Sequence, residues 1–137
     1  MKVTVGELVA TEKSLTTLIS QPKLPAKYQW RLVPIVEELK RYADQHNKLI
    51  QKYAKPEERS DAAGNKVQLM IVPVDKAPAY NKELDGLKNE TLELKYEPID
   101  VEDLQKEKDE NKEPVIKLSA IDYVTLRPLV TGEPKFD

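Results

Sequence analysis

Residues 25–31, Pro-Ala-Lys-Tyr-Gln-Trp-Arg, place the single tryptophan of the chain beside a tyrosine, a lysine and an arginine. Lys27 and Arg31 are four apart, so on a helix both cations share one face. Trp30 and Tyr28 add aromatic surface. Such a set can anchor a protein interface, where tryptophan and arginine concentrate binding energy. It can also stack a base while the cations hold a phosphate. A plainer reading makes Tyr28 a core residue, Trp30 a cap on the core's edge and the charges solubilising. Lys23 lies just upstream, and Glu102 and Asp103 belong to an acidic stretch able to mask a basic surface. Lys23, Lys27, Trp30, Arg31, Glu102 and Asp103 are the candidate partner-binding residues.

The usual catalytic and cofactor patterns are missing. His46 is the only histidine and there is no cysteine, so no His/Cys metal set can form. No nucleophile elbow accompanies the histidine. The four glycines stand alone at 6, 64, 86 and 132, which leaves no phosphate loop. Carboxylates such as Asp100, Glu102 and Asp103 sit among lysines and read as solvated surface. The expectation is a protein that is not an enzyme and carries no cofactor or metal.

The elements that would position these residues start with 25–54. Tyr28, Leu32, Ile35, Leu39, Tyr42, His46, Leu49 and Tyr53 recur at alternating steps of four and three. That heptad stripe predicts one long helix with a single apolar face, which needs a partner from its own chain or another. Pro34 lies inside it, removing a hydrogen bond to the Trp30 carbonyl at a cost of about 3 kcal/mol. The stripe keeps its phase across Pro34, which favours a kinked helix over two pieces. A second helix over 78–90 carries Tyr80, Leu84 and Leu87 at the same spacing and is the expected antiparallel partner.

The remaining elements are shorter. Lys2–Val5 alternates and reads as a strand ending at Gly6, with Thr11 as the N-cap of a short helix carrying Leu15, Leu18 and Ile19. Residues 55–66 read as a polar loop with a turn at Gly64-Asn65. Strands are expected at 67–72, 92–99 and 115–118, forming one small antiparallel sheet with 2–5, in which 67–72 pairs with 92–99. Residues 101–113 are almost all charged and are expected to be a mobile loop in preference to a short exposed helix. Ser119 and Asp122 form a capping-box pattern that starts a short C-terminal helix through Leu126. The expected architecture is a single α+β domain over residues 1–137.

The chain has 137 residues, 34% of them charged and 6% aromatic. The net charge of −2 is uneven: residues 1–60 carry eleven Lys/Arg against seven Asp/Glu, and residues 61–137 carry eleven against seventeen. This argues against a strongly basic nucleic-acid binder. No apolar run approaches the roughly 18–20 residues of a membrane span, and the N-terminus lacks the apolar core of a signal peptide. A cytoplasmic location is the default.

The order of features resembles an uncharacterised family of short proteins of tailed bacteriophages and prophages, mainly of Gram-positive hosts. The matching stretches are Lys23-Leu24-Pro25-Ala26-Lys27, Lys48-Leu49-Ile50-Gln51-Lys52-Tyr53, Tyr80-Asn81-Lys82-Glu83-Leu84 and Ile116-Lys117-Leu118-Ser119. Residues 57–75 and 101–113 depart from it. The resemblance implies a domain of unknown function, a phage setting and the cytoplasm of an infected bacterium. It supplies no catalytic residue, and Lys27 matches a lysine recurrent in the opening motif. Three functions follow as expectations. The first is a stoichiometric inhibitor that binds a host or defence protein. The second is a virion or assembly component, with a homo-oligomer formed through the long helix's heptad face and short edge strands. The third is a sponge for a nucleotide signal held by Lys27, Trp30 and Arg31.

Overall fold

The computed structural model describes residues 1–136 and has the expected α+β architecture. In chain order the elements are β1 (Lys2–Thr4), α1 (Val5–Ile19), α2 (Ala26–Tyr53), β2 (Lys55–Ser60), β3 (Lys66–Ile71), α3 (Ala77–Lys88), β4 (Thr91–Glu93), β5 (Ile99–Asp100), α4 (Val101–Gln105), α5 (Ala120–Thr125), a 3-10 turn (Arg127–Leu129) and β6 (Val130–Thr131).

The first helix starts seven residues earlier than the sequence suggested. Thr4 caps it by accepting from the Glu7 amide at 3.1 Å, and the Glu7 carboxylate accepts from the Thr4 amide at 3.1 Å. This reciprocal box satisfies two amides at the helix start, so Gly6 is helical and Thr11 is a buried mid-helix residue. The Thr11 hydroxyl bonds the Leu8 carbonyl at 2.7 Å. A Cβ on Gly6 would stand 3.2 Å from the Lys88 carbonyl oxygen. Here glycine allows the start of α1 to approach the end of α3.

The long helix runs unbroken through Pro34. Its stripe is covered within its own chain. Tyr28, Leu32, Ile35 and Tyr42 are buried with Leu8, Leu15 and Leu18 of α1 and with Leu92, Ile99, Leu104 and Leu126. Beyond Tyr42 the cover thins: His46, Leu49 and Tyr53 are half-buried and α3 has no fully buried residue. The helices α2 and α3 pair antiparallel. Tyr53 meets Tyr80 edge-on with ring centroids 6.2 Å apart, Lys52 pairs with Glu83 at 3.0 Å, and Arg41 reaches Glu90 at 3.5 Å. His46 Nε2 and the Tyr80 hydroxyl lie 2.8 Å apart, and the His46 ring stacks on Tyr42 at 5.7 Å. The histidine is therefore a packed residue of the helix pair.

The expected single sheet is replaced by three two-stranded ladders. β1 pairs antiparallel with β4, placing Val3 opposite Leu92, and both are buried. The strand expected over 92–99 is thus reduced to β4 at its start and Ile99 of β5 at its end. β3 does not join it, but pairs antiparallel with β2, the segment read as a loop. β5 and β6 run parallel. Residues 115–118 form no strand, although Ile116 is buried.

The charged stretch 101–113 is ordered by two local devices. Asp100 caps α4 by accepting from the Glu102 amide at 2.9 Å, and Val101 and Leu104 are buried on one face. Asp109 then accepts from the amides of Asn111 and Glu113 and pairs with Lys117 at 3.3 Å. The C-terminal capping box forms as expected. Ser119 and Asp122 exchange amide-to-side-chain bonds of 3.0 and 3.2 Å.

Candidate functional site

Leu24, buried, ties the link after α1 to the core, and Pro25 opens α2. This anchoring decides which way the first turns face. Tyr28 points into the core, while Trp30, two positions on and so on the far side of the helix, is 75% exposed. Trp30 does not cap the core's edge: it stands in solvent, whereas Tyr28, Tyr42, Tyr96 and Tyr123 are buried.

Lys27 and Arg31 flank the Tyr28 ring. The Lys27 Nζ lies 4.9 Å and the Arg31 Cζ 5.2 Å from its centroid. These are cation–π distances. The Tyr28 hydroxyl donates to Asp103 Oδ2 at 3.1 Å, joining the start of α2 to α4. Burial pushes the phenol pKa of Tyr28 upward, and its bond to the Asp103 carboxylate adds to this, while Arg31 opposes it. Arg31 Nη1 also reaches the Pro98 carbonyl at 3.5 Å.

Three of the six candidate residues, Lys27, Arg31 and Asp103, are therefore gathered around Tyr28. An open depression beside them is lined by Pro25, Lys27, Tyr28, Asp103, Lys106 and Glu107. Its charges alternate in sign. A phosphate there would meet the carboxylates of Asp103 and Glu107 as well as the lysines, which weakens it as an anion cradle. Glu102 lies elsewhere, lining a hollow with Asp100, Gln105, Lys108, Glu133 and Lys135. Lys23 is exposed in the link and makes no ion pair or hydrogen bond among the described residues.

Among the described residues no three His, Cys, Asp or Glu side chains converge as a metal-holding group. No helix is long and apolar enough to cross a membrane.

Two features of the surface depend on the fold. Tyr28 combines the two roles its position allows: it is a buried residue of the stripe, and its ring and hydroxyl hold Lys27, Arg31 and Asp103 around it. The uncharged run 67–74 holds the strand expected at 67–72, which forms as β3 outside the expected sheet, with Leu69 46% and Met70 54% exposed. The available signal was its composition: eight residues, Val-Gln-Leu-Met-Ile-Val-Pro-Val, without one charge in a highly charged chain.

No protein-family model matches this chain, and no curated protein and no solved structure matches it either.

Proposed function

We propose that this chain is a small phage-encoded protein that acts without catalysis, binding a host or defence protein in fixed ratio and occluding it. Trp30 carries the reading. A folded chain with few aromatics gains nothing internally from a tryptophan held in water, and a large ring on a rigid helix loses little entropy when a partner covers it. Lys27, three positions before Trp30 on the same helix, supplies cationic rim charge, and Lys23 adds an exposed cation in the link before it. Such charge raises association rates more than affinity. The phage setting and the cytoplasm of the infected cell rest on the resemblance noted above.

Affinity capture from host lysate by the tagged protein and by Trp30→Ala, followed by titration of the captured partner, tests it. One partner in fixed ratio, lost with Trp30→Ala while the variant stays folded, is the expected result. A partner bound equally by Trp30→Ala overturns the assignment to this surface. A large closed oligomer that retains no host protein replaces the inhibitor with a virion or assembly role.

A further inference from the structure

The hairpin of β2 and β3 is a two-stranded sheet with no third strand among the described residues. Every residue of β2 and residues 66–70 of β3 are exposed. A two-stranded ribbon is marginal in water, and three or more strands are normally needed. Its two outer edges differ sharply. At the hairpin end the Asp61 amide donates to the Asn65 carbonyl at 2.8 Å, and the Gly64 amide donates to the Asp61 carbonyl at 3.0 Å. Antiparallel alternation from that bond turns the backbone groups of Arg59, Val67, Glu57 and Leu69 inward. Those of Pro56, Glu58 and Ser60 then face out on β2, and those of Lys66, Gln68 and Met70 face out on β3.

The β2 edge is blunted. Pro56 has no amide to offer there, and Lys55, Glu57, Glu58 and Arg59 surround it with charge, two recognised barriers to edge pairing. The β3 edge carries neither device between Val67 and Ile71. Val67, Leu69 and Ile71 also share one face of the ribbon, because strand side chains alternate, and Arg59, Glu57 and Lys55 stand opposite them on that face.

We infer that a second copy of this chain pairs antiparallel along the free edge of β3, with Leu69 on the two-fold axis, to make a four-stranded sheet. The pattern is self-complementary. Gln68 of one copy meets Met70 of the other as a hydrogen-bonded pair, and Met70 meets Gln68 in return. Val67 then faces Ile71, Leu69 faces Leu69, and all six apolar side chains lie on one face. A shift that placed Gln68 on the axis would leave Ile71 opposite the turn. The blunted β2 edges become the outer edges, so the assembly closes at two copies and does not grow into a fibre. This dimer uses the hairpin and not the long helix, whose stripe is buried within its own chain at Tyr28, Leu32, Ile35 and Tyr42 and half-covered beyond them, and it leaves Trp30 free.

The absence of cysteine makes a clean experiment available. Residues facing each other on the axis form a non-hydrogen-bonded pair with Cα atoms about 4.5 Å apart, within the reach of a disulfide. Full-length Leu69→Cys, Gln68→Cys and Ser60→Cys are oxidised in parallel and resolved on a non-reducing gel, and the mass of the parent is followed by light scattering over a dilution series. The expected result is a parent that reaches twice 15.7 kDa, with Leu69→Cys crosslinking at least about tenfold faster than the other two. Gln68→Pro removes an outward amide and no bond of the hairpin, so it is expected to be monomeric with an unchanged thermal midpoint. A parent that stays monomeric at every concentration, faster crosslinking at Gln68→Cys, or a Gln68→Pro variant that still dimerises would overturn the inference.

Discussion

Ser14 Oγ donates a 2.9 Å hydrogen bond to Asp122 Oδ1 across 108 positions of sequence. The same carboxylate accepts from the amide and the hydroxyl of Ser119 at 3.0 Å through its other oxygen. One side chain thus caps α5 and locks it to α1, where Ser14 is buried.

Asp122→Ala is expected to destabilise the fold by about 2 kcal/mol, from a lost cap and an unsatisfied Ser14 hydroxyl. The Ser119 amide holds the Asp122 pKa below the usual carboxylate value, with the Ser14 and Ser119 hydroxyls adding to it against a smaller opposing effect of burial. A lowered folded pKa gives stability that is present above the unfolded value, about 3.9, and lost as pH falls through the folded one. Urea unfolding below pH 5 should therefore show a shallower acid decline in Asp122→Asn than in the parent. Equal slopes would remove Asp122 from the account of acid sensitivity.

Tyr96 governs the alkaline side. Its hydroxyl donates to the Leu129 carbonyl at 2.5 Å, and burial pushes its pKa up to about 12. With the folded value raised, the contribution is fully present below the unfolded value of about 10 and disappears as pH rises through 12. The thermal midpoint should fall across that window, and less steeply in Tyr96→Phe. At neutral pH the same variant should lose about 1 kcal/mol, because the Leu129 carbonyl is left without its buried donor.

Pro34 sits inside a helix that does not break. Pro34→Ala should stabilise the protein by about 2 kcal/mol, the helix penalty of about 3 less the roughly 1 by which proline restricts the unfolded chain. Denaturant midpoints measure this directly. A destabilised variant would show that the Pro34 ring is packed too well to remove.

Gly64 turns the hairpin with φ of +82° and open space where a Cβ would go. Gly64→Ala should cost about 1–2 kcal/mol through the left-handed backbone alone. The effect is local. Amide exchange at Glu57 and Leu69 should quicken about tenfold while the global unfolding midpoint hardly moves. Unchanged exchange would contradict the turn geometry.

Tyr28 and Trp30 should separate stability from binding. Trp30→Ala is expected to leave unfolding within about 0.5 kcal/mol of the parent, since the ring is exposed. Tyr28→Phe loses the bond to Asp103 and should cost about 1 kcal/mol. The opposite ordering in a denaturation series would place Trp30 in the core and remove the surface proposed here.

Local patterns were legible where one segment carries its own signal. The α2 stripe repeats over seven turns, and Ser119 and Asp122 are close enough to cap a helix by themselves. Comparable local signals mark the starts of α1 and α4. Thr4 with Glu7 has capping-box spacing, and Asp100 precedes Val101 and Leu104 at the three-residue spacing of a helix face. β2 could not be read from its residues, because Lys-Pro-Glu-Glu-Arg-Ser has no apolar alternation and becomes a strand only through its pairing with β3.

By itself the sequence determined that one long amphipathic helix would exist, that a second would cover part of it, and where each begins and ends. Those features depend on contacts within a few turns of the same segment, and side-chain spacing encodes them. Tertiary structure alone decided which strands pair, that α1 rather than the second helix covers the first half of α2, and that Tyr28 turns inward while Trp30 remains in water. Such choices depend on contacts between residues tens of positions apart. Their cost in chain entropy is met only when the whole core forms, so no single stretch carries them.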